Sequence, residues 1–579
     1  MRSSTLVGVF LTLASVSLGQ VGPRSPQRVD ATSLGSAKRP SIACDDDRVV
    51  VAYTDGYPGG TETVWVVTSD GRGVDWSAPV RVDSGPIGVD KRTQADSCAV
   101  FGSTVLVAWA DERFGGVEVA VGRSTDGGSS FAAEVVLDKG YSVGNGYVTT
   151  FRMEVANSND VYVLLTVQPP TGVNDELYLV SSHDGGATFG PPVQVATAGA
   201  DVRFADLAVD PVDPSIVQVV WADDRAIPLD HEVMHRRTSD GGSTFGVEQA
   251  LGITGPGMGG VEEEITIATD GTAVCVAWLD EFSSLREEVR VAFSYDRGDS
   301  FFADVGIGGY TPGLDDVDTL VLAEFGFTYY LAWNDDRTGT ELAYVTSTSD
   351  FGQTWRPEQL VGGDGARVVD FAGDADRGVV GLISTAALAA PDELQLSFTT
   401  DGGASWSSLP ISDRPKYDVG DGALVYDSTY DNFIAAWSAN TGDLLPPFFL
   451  TEDVYVGGRR PHVCVPVGWD DIHDPSEPIL RFDLENFGDD VAALVAFSFA
   501  SGPIATGEGR LLDLGPGLLS FGDPAFIAPL SAGSGSTVTI PNVFAVGGTP
   551  LGVVVHYGAV GYSAGPTMSR LTDSGRITL

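Results

Sequence analysis

Between residues 26 and 460 short apolar runs rich in Val, Ala and aromatics alternate with clusters of Gly, Asp and Ser, and no stretch sustains the 3.6-residue apolar period of an amphipathic helix. Residues 96–137 show the unit plainly. Asp96-Ser-Cys-Ala-Val-Phe101, Val105-Leu-Val-Ala-Trp109, Glu118-Val-Ala-Val121 and Ala133-Glu-Val-Val-Leu137 each read as a strand, with turn residues between them. These four strands, here a to d, fit into about 55 residues, the size of one propeller blade. The pattern predicts an all-β fold.

The unit repeats. Ser124-Thr-Asp-Gly-Gly-Ser-Ser-Phe131 follows the pattern Ser/Thr-x-Asp-x-Gly-x-x-Phe/Trp, which returns at Ser182, Thr238, Ser294, Thr348 and Thr399, with a seventh copy carrying one extra residue at Thr68. Start-to-start spacings are 56, 58, 56, 56, 54 and 51 residues. In each copy the Asp (Asp70, Asp126, Asp184, Asp240, Asp296, Asp350, Asp401) can accept turn amides, Gly supplies φ above zero, and the aromatic can be buried between sheets. The motif resembles the Asp box, or BNR repeat, of sialidase-type β-propellers. That resemblance implies that the boxes are structural and lie on the face opposite any site.

Residues 418–457 carry strands a to c of a further unit but no box and no fourth strand. Pro26-Gln-Arg-Val-Asp30 matches Pro79-Val-Arg-Val-Asp83, strand d of the first unit, and so is predicted to complete the last blade. Closure of that kind gives an eight-bladed ring, which packed sheets need to avoid an open edge. Seven blades is the alternative, if residues 367–412 form no separate sheet. The expected organisation is a signal peptide over 1–19, with its apolar run Leu6–Leu18, a propeller over 20–460, and a small C-terminal β-sandwich over 461–579.

Charge narrows the partners. A net charge of -46 disfavours nucleic acid and anionic membrane, and the Leu6–Leu18 apolar run is too short for a membrane span, so a secreted or cell-surface monomer is expected. Cys44 and Cys98 lie on strand a of adjacent blades at matching parity, a candidate disulfide, and Cys275 reads as a buried thiol.

Three patterns carry candidate chemistry. His231-Glu-Val-Met-His235 matches a zinc-protease motif, but its register makes it strand c, where the two His stand about 13 Å apart. Trp109-Ala-Asp-Glu-Arg113, Trp221-Ala-Asp-Asp-Arg225 and Trp333-Asn-Asp-Asp-Arg337 end strand b, each followed by a Glu that opens strand c, such as Glu118. This reads as a hairpin ion network, with calcium as the alternative and otherwise no cofactor. Strands a carry aligned acids, Asp96, Glu154, Asp206, Glu264, Asp318, Asp370 and Asp421, expected to ring one mouth of the channel, with Arg39, Arg152, Arg203 and Arg367 just upstream. The resemblance to sialidases implies that three arginines clamp a sugar carboxylate and that a Tyr acts with acidic partners. Lys38-Arg-Pro-Ser41 and Phe151-Arg-Met-Glu154 match the family's arginine motif only in part. The expected function is a channel mouth that binds glycan or an extracellular protein; the alternative is an exo-sialidase-type glycoside hydrolase using these arginines and acids.

Overall fold

The structure is a computed structural model. It describes residues 27–459 apart from 31–35, 46–47, 57–61, 70–72, 74–75, 86–90, 95–96, 228–229, 252–260, 284–285, 308–316, 364, 376–377, 387–392, 412–418, 429–431 and 446–448, and in 463–578 the backbone of the strands. The expected signal peptide and Asp70 lie outside the described residues.

Eight antiparallel sheets of up-and-down strands stand in a ring. Their inner strands a are Ser36–Asp45, Cys98–Phe101, Tyr147–Val155, Val202–Val209, Val261–Thr269, Val317–Phe325, Ala366–Asp374 and Val419–Asp427, which begin blades 1 to 8. Neighbouring inner strands touch around the whole circle, and blade 8 meets blade 1. Residues 366–410 form a four-stranded sheet of their own, which excludes the seven-bladed count. Blade 8 takes its strand d from the N-terminus: Gln27 pairs with Val456 and Arg28 with Tyr455, the Val29 amide donates to the Val454 carbonyl at 3.0 Å, and Asp30 accepts the Val454 amide at 3.0 Å. Among the described residues no helix is long and apolar enough to cross a membrane.

The core is divided into eight apolar layers, one between each pair of successive blades. Strand b, the second in each blade, is buried on both faces and therefore reads as a continuous apolar run; Trp109, Trp221, Trp278 and Trp333 on it are fully buried. The box aromatics pack as expected from their position. Phe131 joins the layer between blades 1 and 2, Phe189 that between 2 and 3, and Trp406 that between 6 and 7.

The cysteine pairing is corrected. Cys44, Cys98 and Cys275 are free thiols; Cys98 meets Ser41 of blade 1 at 3.3 Å, whereas Cys44 points to the Tyr426 carbonyl of blade 8 at 3.4 Å. Matching parity on successive sheets of a ring turns both side chains toward the preceding blade, so they cannot face each other. Cys275 is buried, which pushes its thiol pKa well up.

Beyond the ring no ninth blade forms among the described residues. Val463–Asp470, Ile479–Glu485 and Ser536–Pro541 make a three-stranded sheet, and Ala492–Ser498, Ile527–Pro529, Val554–Tyr562, Met568–Leu571 and Gly575–Thr578 a five-stranded one.

Candidate functional site in the channel

The Asp boxes form one recurrent turn, and in blades 2 to 5 it is bound to the a–b turn of its own blade, as in the Gly127 amide to the Ser103 carbonyl at 2.8 Å and Gly185 to Asn159 at 2.8 Å. They thus stand on the face opposite the starts of strands a. In box 124–131 the Ser124 hydroxyl donates to Asp126 at 2.7 Å and accepts the Gly128 amide at 2.9 Å, while Asp126 accepts both the amide (2.9 Å) and the hydroxyl (2.6 Å) of Ser130. Thr188, Thr244, Ser300, Thr354 and Ser405 repeat the last contact at Asp184, Asp240, Asp296, Asp350 and Asp401, each hydroxyl at 2.6 Å. This Ser/Thr before the aromatic recurs in every one of these copies, although the eight-residue pattern leaves its position unspecified. Its hydroxyl is the main reason Asp126 and Asp184 are held down at about 2.

The strand-b motif is an ion network, as its residue types suggest. Arg113 pairs with Asp111 at 3.0 Å and with Glu134 at 2.5 Å, and Arg337 joins Asp335 to Glu358. Glu118, which opens strand c, is paired with the buried Lys139. Among the described residues no group of three or more His, Cys, Asp and Glu side chains is arranged to hold a metal ion. His235 lies on strand c, Asp230–Thr238, fully buried against Gln218 at 2.8 Å; burial holds its imidazole down at about 3.

The inner-strand acids do not form one level ring. Glu154 pairs in register with Tyr162 next to the a–b turn, Asp206 with Val220 in mid-strand, and Asp318 with Asn334 near the strand's start. Bulges in the inner strands, for example between Arg203 and Ala205 and between Val368 and Asp370, break the constant spacing that the alignment presumed. What unites the acids is a hydrogen bond to the next blade. Glu154 accepts the Val209 amide (3.1 Å), Asp206 that of Ile267 (3.2 Å), Glu264 that of Leu320, and Asp370 that of Leu424 (2.8 Å). Ser41 plays this part in blade 1, accepting the Ser97 and Cys98 amides at 3.1 Å each. The outer edge of strand a has no further strand beside it, and these side chains satisfy amides that would otherwise face the channel. The side chain of Asp318 and all of Asp96 lie outside the described residues, and Asp421 is exposed.

The four candidate arginines are held at four different places. Arg152 approaches Asp206 at 4.0 Å, Arg203 pairs with Asp201 at 3.3 Å, Arg367 with Glu341 at 2.9 Å, and Arg39 buries its Nη1 without a hydrogen-bond partner. Arg152 and Asp206 meet at a cavity of about 340 Å³ within the channel, walled by blades 3 to 6 through Glu154, Leu207, Ile267 and Glu324. Glu324 was not among the sequence candidates, because nothing in Ala323-Glu-Phe-Gly-Phe327 marks it. Burial raises its carboxyl to about 7, with the Asp270 charge adding to the rise and the Phe327 amide opposing it.

A pH effect follows. Unfolded, this Glu loses its proton near 4.5, whereas folded it keeps it to about 7, so stability falls as pH rises through that window and levels off above it. Glu324→Gln removes the penalty. It is expected to raise the melting temperature by about 1–3 °C at pH 8 and to leave it unchanged at pH 4.5, as read by scanning calorimetry at both pH values.

Three inner-strand bulges contain a non-glycine residue in the left-handed region: Arg39 (φ 52°), Phe204 (φ 34°) and Thr319 (φ 47°). Such backbone costs about 1–3 kcal/mol per residue and persists only where the surroundings enforce it.

No protein family and no curated protein matches the chain. Among solved structures it is similar to an ulvan lyase described as a new polysaccharide lyase family (12% identity, 75% of this chain and 96% of that one, TM-score 0.44). It is also similar to an α-L-arabinanase of Penicillium chrysogenum (14%, 55% and 94%, TM-score 0.35) and a Hadza microbial sialidase (14%, 77% and 98%, TM-score 0.35). At such values the functional argument rests on this chain's own residues.

Proposed function

We propose that this eight-bladed propeller acts outside the cell and binds glycan in its channel, without hydrolysing it. The observation that carries the reading is the cavity between blades 3 and 6, where Arg152 offers donors, Glu154 and Asp206 offer acceptors, and Leu207 and Ile267 offer apolar surface. A hydroxylated ring with apolar C–H faces matches that mixture. The same residues argue against sialidase-type turnover. Arg152, Arg203 and Arg367 engage separate carboxylates instead of converging, and Glu154 and Asp206 already accept backbone amides.

One observation favours the hydrolase reading. Glu324, raised to about 7, lines the same cavity as Asp206, and a carboxyl that keeps its proton near neutral pH is what a general acid acting on a glycoside needs. A glycan array run beside a screen of fluorogenic glycosides that includes a sialoside decides between them. Expected are array binding, weakened about tenfold or more by Arg152→Ala, and no turnover. Turnover of any glycoside that Glu324→Gln and Asp206→Ala both abolish would establish the hydrolase instead.

A further inference from the structure

We infer that Phe204 is the stacking platform for the bound glycan and that the saccharide stacked there carries no acidic group, an inference that rests on the glycan-binding reading above. Phe204 sits in the strand-a bulge of blade 4, near the start of that strand and two residues before Asp206, with which the cavity lining begins on this strand. Its backbone is in the left-handed region at φ 34°, which a bulky residue avoids, yet its side chain is not used to fill the core: the residue is 41% exposed. A strained bulge that places an aromatic ring in solvent stabilises nothing in the ring of blades. Its effect is to re-aim the side chain.

The surroundings agree. Among the described residues, the large apolar side chains exposed on the face where strands a begin are Val143, Tyr147, Val173 and Phe204, all on blades 3 and 4 or on the segment leading into them. Tyr147 starts strand a of blade 3, the neighbour of Phe204's strand. Aromatic faces and sugar C–H faces are a natural pair, because both are apolar and flat.

Charge then selects the sugar. The guanidiniums near Phe204 are matched to acids, Arg203 to Asp201 and Arg152 to Asp206, and Glu154 adds a further negative charge. The wall therefore carries no positive surplus for a carboxylate or sulfate, on a chain whose net charge is -46. Acceptor-rich walls suit hydroxyl donors, the groups a neutral sugar presents.

The test uses Phe204→Gly and Phe204→Tyr in the full chain, with neutral, uronate-bearing and sialylated oligosaccharides titrated by calorimetry. Glycine accepts the left-handed backbone, so Phe204→Gly is expected to melt no lower than the parent while binding a neutral oligosaccharide at least tenfold more weakly. Phe204→Tyr keeps the ring and is expected to bind within about threefold of the parent. Equal binding by parent and Phe204→Gly would overturn the platform while leaving glycan binding intact. A preference for the acidic sugars would overturn the neutral specificity. If the parent binds no glycan of any class, the underlying reading fails and this inference with it.

Discussion

Removal of the chain through Asp30 is expected to lower the melting temperature by about 5 °C, whereas removal through residue 26 leaves it unchanged. Residues 27–30 are joined to the rest of blade 8 only by non-covalent contacts, and those contacts are concentrated. Val29 is buried between blades 8 and 1, which is worth about 1.5–3 kcal/mol. Asp30, also buried, holds the Val454 amide, and leaving that amide unsatisfied costs about 1–3 kcal/mol. Adding the exposed edge of strand c gives a loss of about 5 kcal/mol, a large part of an ordinary domain's stability. Blade 1 supplies an internal control. Asp83 accepts the Val64 amide at 2.9 Å and pairs with Arg81 at 2.7 Å, just as Asp30 pairs with Arg28 at 2.9 Å, but its strand is covalently continuous with its hairpin. Burial raises the Asp30 carboxyl above its usual range; at Asp83 the same burial is outweighed by Arg81, the Val64 amide and the buried Lys91, and the carboxyl is lowered. Calorimetry of both truncations is the measurement, and a truncation through Asp30 that melts within 2 °C of the longer chain would show that the ring is held without its closing strand.

This closure was legible in the sequence because it rests on a local match, Pro26–Asp30 against Pro79–Asp83, read in a repeat whose period is set by the box turns. The blade count was legible for the same reason. What spacing could not give was depth in the channel. Equal distances from the box do not give equal heights on strand a once a bulge intervenes, and so Glu154, Asp206 and Asp318 look equivalent in sequence yet pair at different levels of their sheets. Nor could parity give direction: Cys44 and Cys98 share a face, but in a ring that face looks to the preceding blade. Glu324 escaped because its pKa is made by burial and by Asp270, neither of which is local in the chain. Phe204 escaped because its significance is a φ angle. The Trp-x-Asp and Glu pattern of the b–c hairpin is plain in the sequence, but there it has two meanings, an ion network or a calcium site.

The pair Glu118 and Lys139 separates those meanings, and single substitutions there are expected to be among the most damaging in the protein. Both side chains are 1% exposed, and besides Lys139 the Glu118 carboxylate accepts the Gly144 amide at 2.8 Å. Glu118→Gln leaves the Lys139 ammonium buried without its counter-charge, which costs about 3–5 kcal/mol. Lys139→Met leaves the carboxylate with the Gly144 amide but no cation, at a similar cost. The double variant is a different case. A glutamine at position 118 can still accept the Gly144 amide, and a methionine at position 139 is apolar and of comparable length to the lysine it replaces. Combining the two is therefore expected to restore stability to within about 1.5 kcal/mol of the parent, since a buried ion pair adds little over a well-packed neutral replacement. Non-additivity of that size in a double-mutant cycle is the signature of one charge cancelling another. A calcium site at the opening of strand c predicts otherwise: chelation would lower the melting temperature of the parent as far as Glu118→Gln does, and Lys139→Met would strengthen cation binding. We expect chelation to leave the parent's melting temperature unchanged, because the position a cation would take beside Glu118 is filled by the ammonium of Lys139.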